Sequence, residues 1–140
     1  MTIEAWVNPS TSTGWRSVVL KETTGGLAYA LYGENNANRP AGYVHIGSDK
    51  AVTGNAAVPL NAWTHLALTY DGANIRIFIN GVQAGSVAQT GGITTSAGAL
   101  RIGGNSVWGE YFKGLLDEVR IYNRALSTAE IQTDMNTPVQ

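Results

Sequence analysis

The stretch Gly114-Leu115-Leu116-Asp117-Glu118-Val119-Arg120-Ile121-Tyr122, followed by Asn123-Arg124-Ala125-Leu126-Ser127, decides how the rest of the chain is read. With a period of two it places Leu115, Asp117, Val119 and Ile121 on one face of a strand, and Leu116, Glu118, Arg120 and Tyr122 on the other. The first face is apolar apart from one carboxylate, so a strand turning it to the core carries Asp117 inside. A bare buried carboxylate is too costly to keep. It must be paired, hydrogen-bonded, protonated or bound to a metal. Two environments stay open: a hard cation such as calcium, its oxygen shell completed by carbonyls and water, or a set of backbone amides and an arginine.

Upstream, the same alternation recurs. Met1, Ile3, Ala5 and Val7 share one face of an opening strand, with Glu4 and Trp6 on the other. Strands are expected over Trp15 to Lys21, Leu27 to Tyr32 and Tyr43 to Ile46, with a short strand or irregular connection within Gly47 to Asn55. Leu66, Leu68 and Tyr70 alternate toward one side, and Ile75, Ile77 and Ile79 follow after Asp71-Gly72-Ala73-Asn74. Asn80-Gly81 is a hairpin signal, because both central positions of a type I′ turn need positive φ. Val82 to Ala88 returns, and Leu100 to Gly103 and Phe112 to Tyr122 complete the strands. Ser127-Thr128-Ala129-Glu130 spells a capping box, with Leu126 and Ile131 as its hydrophobic staple, so one short helix closes the chain near Met135.

Many short strands punctuated by turns predict an all-β jelly-roll sandwich of two antiparallel sheets with one short C-terminal helix. Composition agrees: 17 glycines and only 14% charged residues in 140 leave little of the Lys and Glu that helical proteins use. A formal net charge of -1 provides no basic stripe for phosphates, which excludes nucleic acid as the main partner. The chain has no cysteine, which removes disulfides, thiolate metal sites and thiol catalysis. No apolar run reaches the length of a membrane span. Alternation from the first residue is what a domain cut from a longer chain would show. Residues 1–136 are read as that domain and 137–140 as a linker remnant.

Trp63-x-His65-x-Ala67-x-Thr69-Tyr70-Asp71-Gly72, then Ile79-Asn80-Gly81, then Leu100-Arg101-Ile102-Gly103-Gly104, resemble the LamG-like jelly-roll domains of the concanavalin A-like lectin/glucanase superfamily. So does Lys113 to Ser127, and the segments keep the family order over nearly the whole chain. The resemblance implies two antiparallel sheets with a sugar-binding face or rim, and a place in a large secreted or cell-surface protein. It also implies a structural calcium ion with Asp117 among its ligands. Family domains generally begin with an extra strand carrying Phe-Asp-Gly, which this chain lacks.

Glucanases of this fold present Glu-x-Asp-x-Glu or Glu-x-Asp-x-x-Glu on one strand, and neither occurs here. Asp117 and Glu118 are adjacent, so on a strand they point to opposite faces and cannot flank one bond. His45 and His65 sit in no triad or metal-ligand spacing. The expected role is therefore non-catalytic carbohydrate binding. The alternatives are a protein-binding or adhesion module without sugar affinity and, third, a degenerate glycoside hydrolase.

Sugar recognition needs flat aromatic faces ringed by polar groups. Trp6 and Trp63 lie within strand patterns and read as packing residues. Trp15, after Gly14, and Trp108 with Tyr111, which flank Glu110, lie at loop edges and are the candidate platforms. The polar loop Gly33 to Pro40, with Tyr32 at its base, supplies Asn35 and Arg39 as candidate orienting groups. An oligo- or polysaccharide is the expected partner.

Overall fold

The computed structural model describes residues 1–139. Ten strands form two five-stranded antiparallel sheets. They are β1 (Thr2–Pro9), β2 (Arg16–Thr23), β3 (Gly26–Glu34), β4 (Ala41–His45), β5 (Asp49–Thr53), β6 (Thr64–Tyr70), β7 (Asn74–Ile79), β8 (Val82–Ala88), β9 (Leu100–Ile102) and β10 (Gly114–Tyr122). The first sheet runs β10-β1-β6-β7-β8 and the second β5-β4-β3-β2-β9. One helix, α1 (Thr128–Met135), follows β10. The expected sandwich is the observed one.

Alternation builds the core. Ile3, Ala5 and Val7 of β1, Leu66, Leu68 and Tyr70 of β6, and Ile75 and Ile77 of β7 face Val18, Val19, Leu31, Val44 and Val52 of the second sheet. The sheets approach closely where Gly42 of β4 meets Leu68. A Cβ on Gly42 would lie 2.1 Å from Leu68 Cδ1, so any side chain there would force the layers apart. The β7–β8 hairpin turns on Asn80 and Gly81 at φ of 49° and 73°, the positive pair a type I′ turn demands.

Helix α1 lies on the outer face of the first sheet. Ser127 Oγ accepts from the Glu130 amide while the Glu130 side chain accepts from the Ser127 amide, closing the capping box. Leu126 and Ile131 bury against Ala67 and Phe78, with Tyr122 packed alongside. Each such aliphatic side chain contributes about 1.5–3 kcal/mol.

The strand that decides the reading does not keep its period. Glu118 sits at φ 53°, a region few non-glycine residues occupy. The β1–β10 register slips there: Glu4 opposes Arg120, but Trp6 opposes Asp117. Two residues of β10, Glu118 and Val119, thus face the single residue Ala5, which is a β-bulge. Val119 and Leu116 pack into the core, and Asp117 is turned out beside Trp6. Asp117 is exposed, contrary to the inward placement expected from strict alternation. The bulge spares the sheet a buried carboxylate.

A carboxylate is carried inside elsewhere. Glu4 of β1 is fully buried on the outer face of the first sheet, with Asp134 of α1 and Arg120 of β10 as its charged neighbours. As an ionised group it finds no donor for either oxygen. Burial, reinforced by the charge of Asp134, raises its pKa to about 7. The Asp134 carboxylate beside it further favours the protonated form of Glu4. His65, on the same face, is also fully buried, and both its ring nitrogens lack partners. Its ring stands edge-on to Trp6 at 5.4 Å, and burial followed by Arg120 lowers its pKa to about 4.

Trp63 precedes β6 and is 45% exposed, so it is not the packing residue expected. Residues 137–139, expected as linker, lie against β10: Arg120 donates to the Thr137 carbonyl, and the Val139 amide donates to Glu118 Oε2 at 2.5 Å. Gln140 lies outside the described residues.

Candidate functional site

The outer face of the second sheet is left open, and the aromatic side chains gather there. Tyr32 of β3 stands beside Ala41 of β4, and Tyr43 of β4 beside Ala30 of β3. Strand alternation sends both phenol rings to the same side. Trp15, at the mouth of β2, leans over them. The ring centroids are 5.0 Å apart for Trp15–Tyr32, 5.8 Å for Trp15–Tyr43 and 5.6 Å for Tyr32–Tyr43, all edge-to-face. This mutual arrangement fixes each ring, because edge-to-face pairs satisfy their quadrupoles. Trp108, 48% exposed, completes a cradle of about 190 Å³ whose remaining walls are Leu27, Asp49 and Glu110.

The loop that delivers Trp108 is tied down by a buried asparagine. Asn105 Nδ2 donates to Ser17 Oγ at 2.8 Å and to Glu110 Oε2 at 2.9 Å. Its Oδ1 accepts from the Trp108 amide at 2.7 Å. Tyr32 Oη donates to the same Glu110 oxygen at 2.9 Å. Burial, with the Glu110 charge beside it, pushes the Tyr32 phenol far up, so it remains a donor. The neighbouring Ser106 amide and hydroxyl both donate to Glu22 Oε1 at 2.7 Å. Those bonds, with Arg101 on the same oxygen, hold Glu22 below the usual carboxylate range. Gly104 is required here, since a Cβ would lie 2.5 Å from Tyr111 Cδ1. The cradle is thus assembled before any ligand arrives, which lowers the ordering cost of binding.

Its chemistry is that of a shallow apolar floor with polar rims. Asp49 Oδ1 engages His45 Nδ1 at 2.7 Å, which leaves Oδ2 for a ligand. Glu110 Oε1 has no protein partner. Nearby negative charges and burial keep Tyr43 protonated, with burial the larger cause. Two carboxylates and no arginine or lysine line the cradle. A second depression of about 200 Å³ lies at the end of the sandwich, between Arg16, Glu34, Asn38 and Leu60. It holds one aromatic residue, Phe112, against four in the cradle.

A family model described as the concanavalin A-like lectin/glucanases superfamily matches residues 1–132. The chain belongs to that superfamily. Solved structures share its fold at low identity. Domain 4 of AbnA, a GH43 extracellular arabinanase from Geobacillus stearothermophilus in complex with arabinotriose, superposes with a TM-score of 0.78 at 23% identity, covering 96% of this chain and 65% of that one. The CBM40 of a Ruminococcus gnavus IT-sialidase, bound to α2,3-sialyllactose, gives 0.74 at 19% identity, covering 94% and 80%. Among curated proteins, mouse pappalysin-1 is 36% identical over 80 residues, which is 54% of this chain and 5% of that protein. Zebrafish adhesion G-protein coupled receptor V1 is 26% identical over 149 residues, 99% of this chain and 2% of the receptor. The chain therefore spans a small part of the curated relatives it matches.

Of the six residues expected from sequence to touch ligand, the structure brings three together in the cradle: Trp15, Tyr32 and Trp108. Tyr111 is not among them. It lies over Gly104 beside Arg101 and Ile102, in a separate depression. Asn35 is buried and spends its Oδ1 on the amides of Ala37 and Arg39, at 2.8 and 3.3 Å. The polar loop closes on itself as a tight turn, with Asn38 at φ 56°. Arg39 is exposed on that turn and lines neither the cradle nor the end depression. Tyr43, Asp49 and Asn105 were missed. Tyr43 has a sequence signal, two residues from Ala41 on a strand, but its neighbours come from β3 and from the β1–β2 loop.

For the calcium ion that the family resemblance implies, Asp117 offers a single carboxylate with Oδ2 free of hydrogen bonds. Its side chain is exposed, and Oδ1 accepts from the Glu118 amide at 2.8 Å. Among the described residues no three His, Cys, Asp or Glu side chains gather to hold a metal.

Proposed function

We propose that this domain is a non-catalytic carbohydrate-binding module of a longer secreted or cell-surface protein, and that the cradle of Trp15, Tyr32, Tyr43 and Trp108 is its sugar site. The observation that carries the reading is the convergence of four aromatic rings on an open sheet face, under a loop already fixed by Asn105. The apolar face of a sugar ring packs on such a surface while its hydroxyls reach the rim. Asp49 Oδ2 and Glu110 Oε1 would accept from hydroxyls, and the Tyr43 phenol would donate.

The charge of the rim narrows the ligand. Two carboxylates without a lining cation repel acidic sugars, so the cradle suits neutral oligosaccharides. Binding rather than bond cleavage is the reading, because the Glu-x-Asp-x-Glu and Glu-x-Asp-x-x-Glu strands that glucanases of this fold present do not occur in the chain. Carbohydrate complexes among the structural neighbours, and the extracellular arabinanase and adhesion receptor among the relatives, support a module outside the cell. No helix among the described residues is long and apolar enough to cross a membrane.

Calorimetric titration against a panel of neutral and sialylated or uronate-bearing oligosaccharides tests the proposal. Saturable binding to a neutral member is expected, weakened roughly 10- to 100-fold in Trp108→Ala, with the fold retained. Silence across the neutral panel would leave the adhesion reading in its place. Hydrolysis of any bound glycan would overturn the non-catalytic assignment.

A further inference from the structure

The bulge that turns Asp117 outward also builds a second surface, on the opposite side of the sandwich from the cradle. On the outer face of the first sheet, β10, β1 and β6 align Asp117, Trp6 and His65 in one cross-strand row. The next row holds Leu115 opposite Asn8, with Trp63 two residues before His65 and so on the same face. Trp6, Trp63, Asp117 and Glu118 enclose an open depression of about 350 Å³. Trp63 and Leu115 are 45% and 60% exposed, so apolar surface is open at this end of the sheet among the described residues.

The charges beside these indoles differ in their commitments. Glu118 pairs with Arg120 at 3.0 Å and also accepts from the Val139 amide. Asp117 has no cationic partner among the described residues, and its Oδ2 makes no hydrogen bond. Glu118 holds its positive φ at an energetic cost, and backbone strain of this kind concentrates at functional positions. Here its effect is to set an unpaired carboxylate in the same depression as the Trp6 and Trp63 indoles.

An aromatic pair with one free carboxylate is the chemistry that recognises a cationic side chain. The guanidinium of arginine stacks on indole and pairs with a carboxylate in one geometry. A sugar would also stack on the indoles and donate a hydroxyl to Asp117, as at the cradle, but a cation gains in addition the charge–charge attraction that a carboxylate without a cationic partner offers. We infer that the Trp6–Trp63–Asp117 surface binds an arginine or lysine side chain of a protein partner, giving the domain a protein-docking face independent of its sugar cradle.

The probe is an uncharged-ended peptide, acetyl-Gly-Arg-Gly-Arg-Gly-amide, against its citrulline counterpart. The readout is the tryptophan indole signals in two-dimensional NMR of the domain. The arginine peptide is expected to shift the Trp6 and Trp63 indole signals saturably, and raised salt should weaken the effect. The Trp15 and Trp108 signals should stay in place. Trp63→Ala and Asp117→Asn should each weaken binding roughly tenfold, and Trp63→Phe should restore part of it. Equal shifts with the citrulline peptide, persistence in Asp117→Asn, or no shift up to about 10 mM peptide would overturn the inference. So would movement of the Trp6 and Trp63 signals by a neutral oligosaccharide that the cradle binds.

Discussion

On the outer face of the first sheet, α1 and its approach cover Ala67, Phe78 and Tyr122, whereas the outer face of the second sheet keeps Trp15, Tyr43 and Trp108 within reach of solvent. Both faces arise from the same strand alternation and both hold polar groups. Under the helix those groups are cut off from water: Glu4 has no donor as an anion and His65 no partner at all. In the cradle they are tied into a chain running Ser17, Asn105, Glu110, Tyr32. Covering a face stabilises the fold while making buried charge costly. Leaving a face open gives up that burial and keeps a rigid surface for a ligand.

The sharpest way to break this comparison is to trim each face in turn. Ile131→Ala, under the helix, should cost about 3 kcal/mol in urea unfolding, as expected for a fully buried aliphatic side chain. Trp108→Ala, on the open face, should cost less than about 0.5 kcal/mol while it lowers sugar affinity. Equal losses of stability would mean that the two faces are not functionally distinct.

Asn105→Ala comes next. It leaves Ser17, Glu110 and the Trp108 amide without their partner, and about 2 kcal/mol should be lost. Amide exchange at Trp108 should rise with it, and sugar affinity should fall although Asn105 itself touches no ligand. Unchanged exchange at Trp108 would show that the loop is held without Asn105, by Glu22 and the backbone bonds of Glu110 and Phe112.

The covered face should also betray itself through pH. Glu4 keeps its proton in the folded chain up to about pH 7, against an unfolded value of 4.5, so its contribution is full at low pH and is lost as pH rises through that window. His65 resists protonation down to about 4, against 6.5 unfolded, so its contribution is full above 6.5 and is lost as pH falls. Between about 4.5 and 6.5 the two oppose each other and the wild-type profile should be nearly flat. Glu4→Gln should unmask stability that rises with pH over that range, by about 2 kcal/mol, and His65→Phe a fall of similar size. Parallel profiles for the two variants would contradict the assigned shifts. The smallest effect is expected at the exposed carboxylate: Asp117→Asn should change stability by under about 0.5 kcal/mol, and its melting should respond to EDTA and calcium no differently from wild type.

Much of this was legible in the residues. Ile3, Ala5 and Val7, the Leu66-Leu68-Tyr70 series, the Asn80-Gly81 turn and the Ser127–Glu130 cap each encode local geometry, and each is found as read. Trp15 and Trp108 were marked by their loop positions, and the structure places them together. Asn35 misled because an asparagine bonding its own loop amides looks, in sequence, like one offered to a ligand. Asn105 gave no signal at all, since its three partners come from β2 and its own loop and are joined only by folding.

Alternation, turn chemistry and capping are properties of neighbours along the chain, so the sequence by itself determined a two-layer β-sandwich closed by a short helix. Tertiary structure decided which faces stay open and where charge ends up. Pairing with β1 places the bulge at Glu118 that turns Asp117 outward, while Glu4 is the acid buried completely. Docking of α1 covers part of one sheet, whereas the aromatic residues of the other, drawn from the β1–β2 loop, β3, β4 and a distant loop, converge on an open face. Those outcomes depend on contacts between residues far apart in sequence, and no local pattern records them.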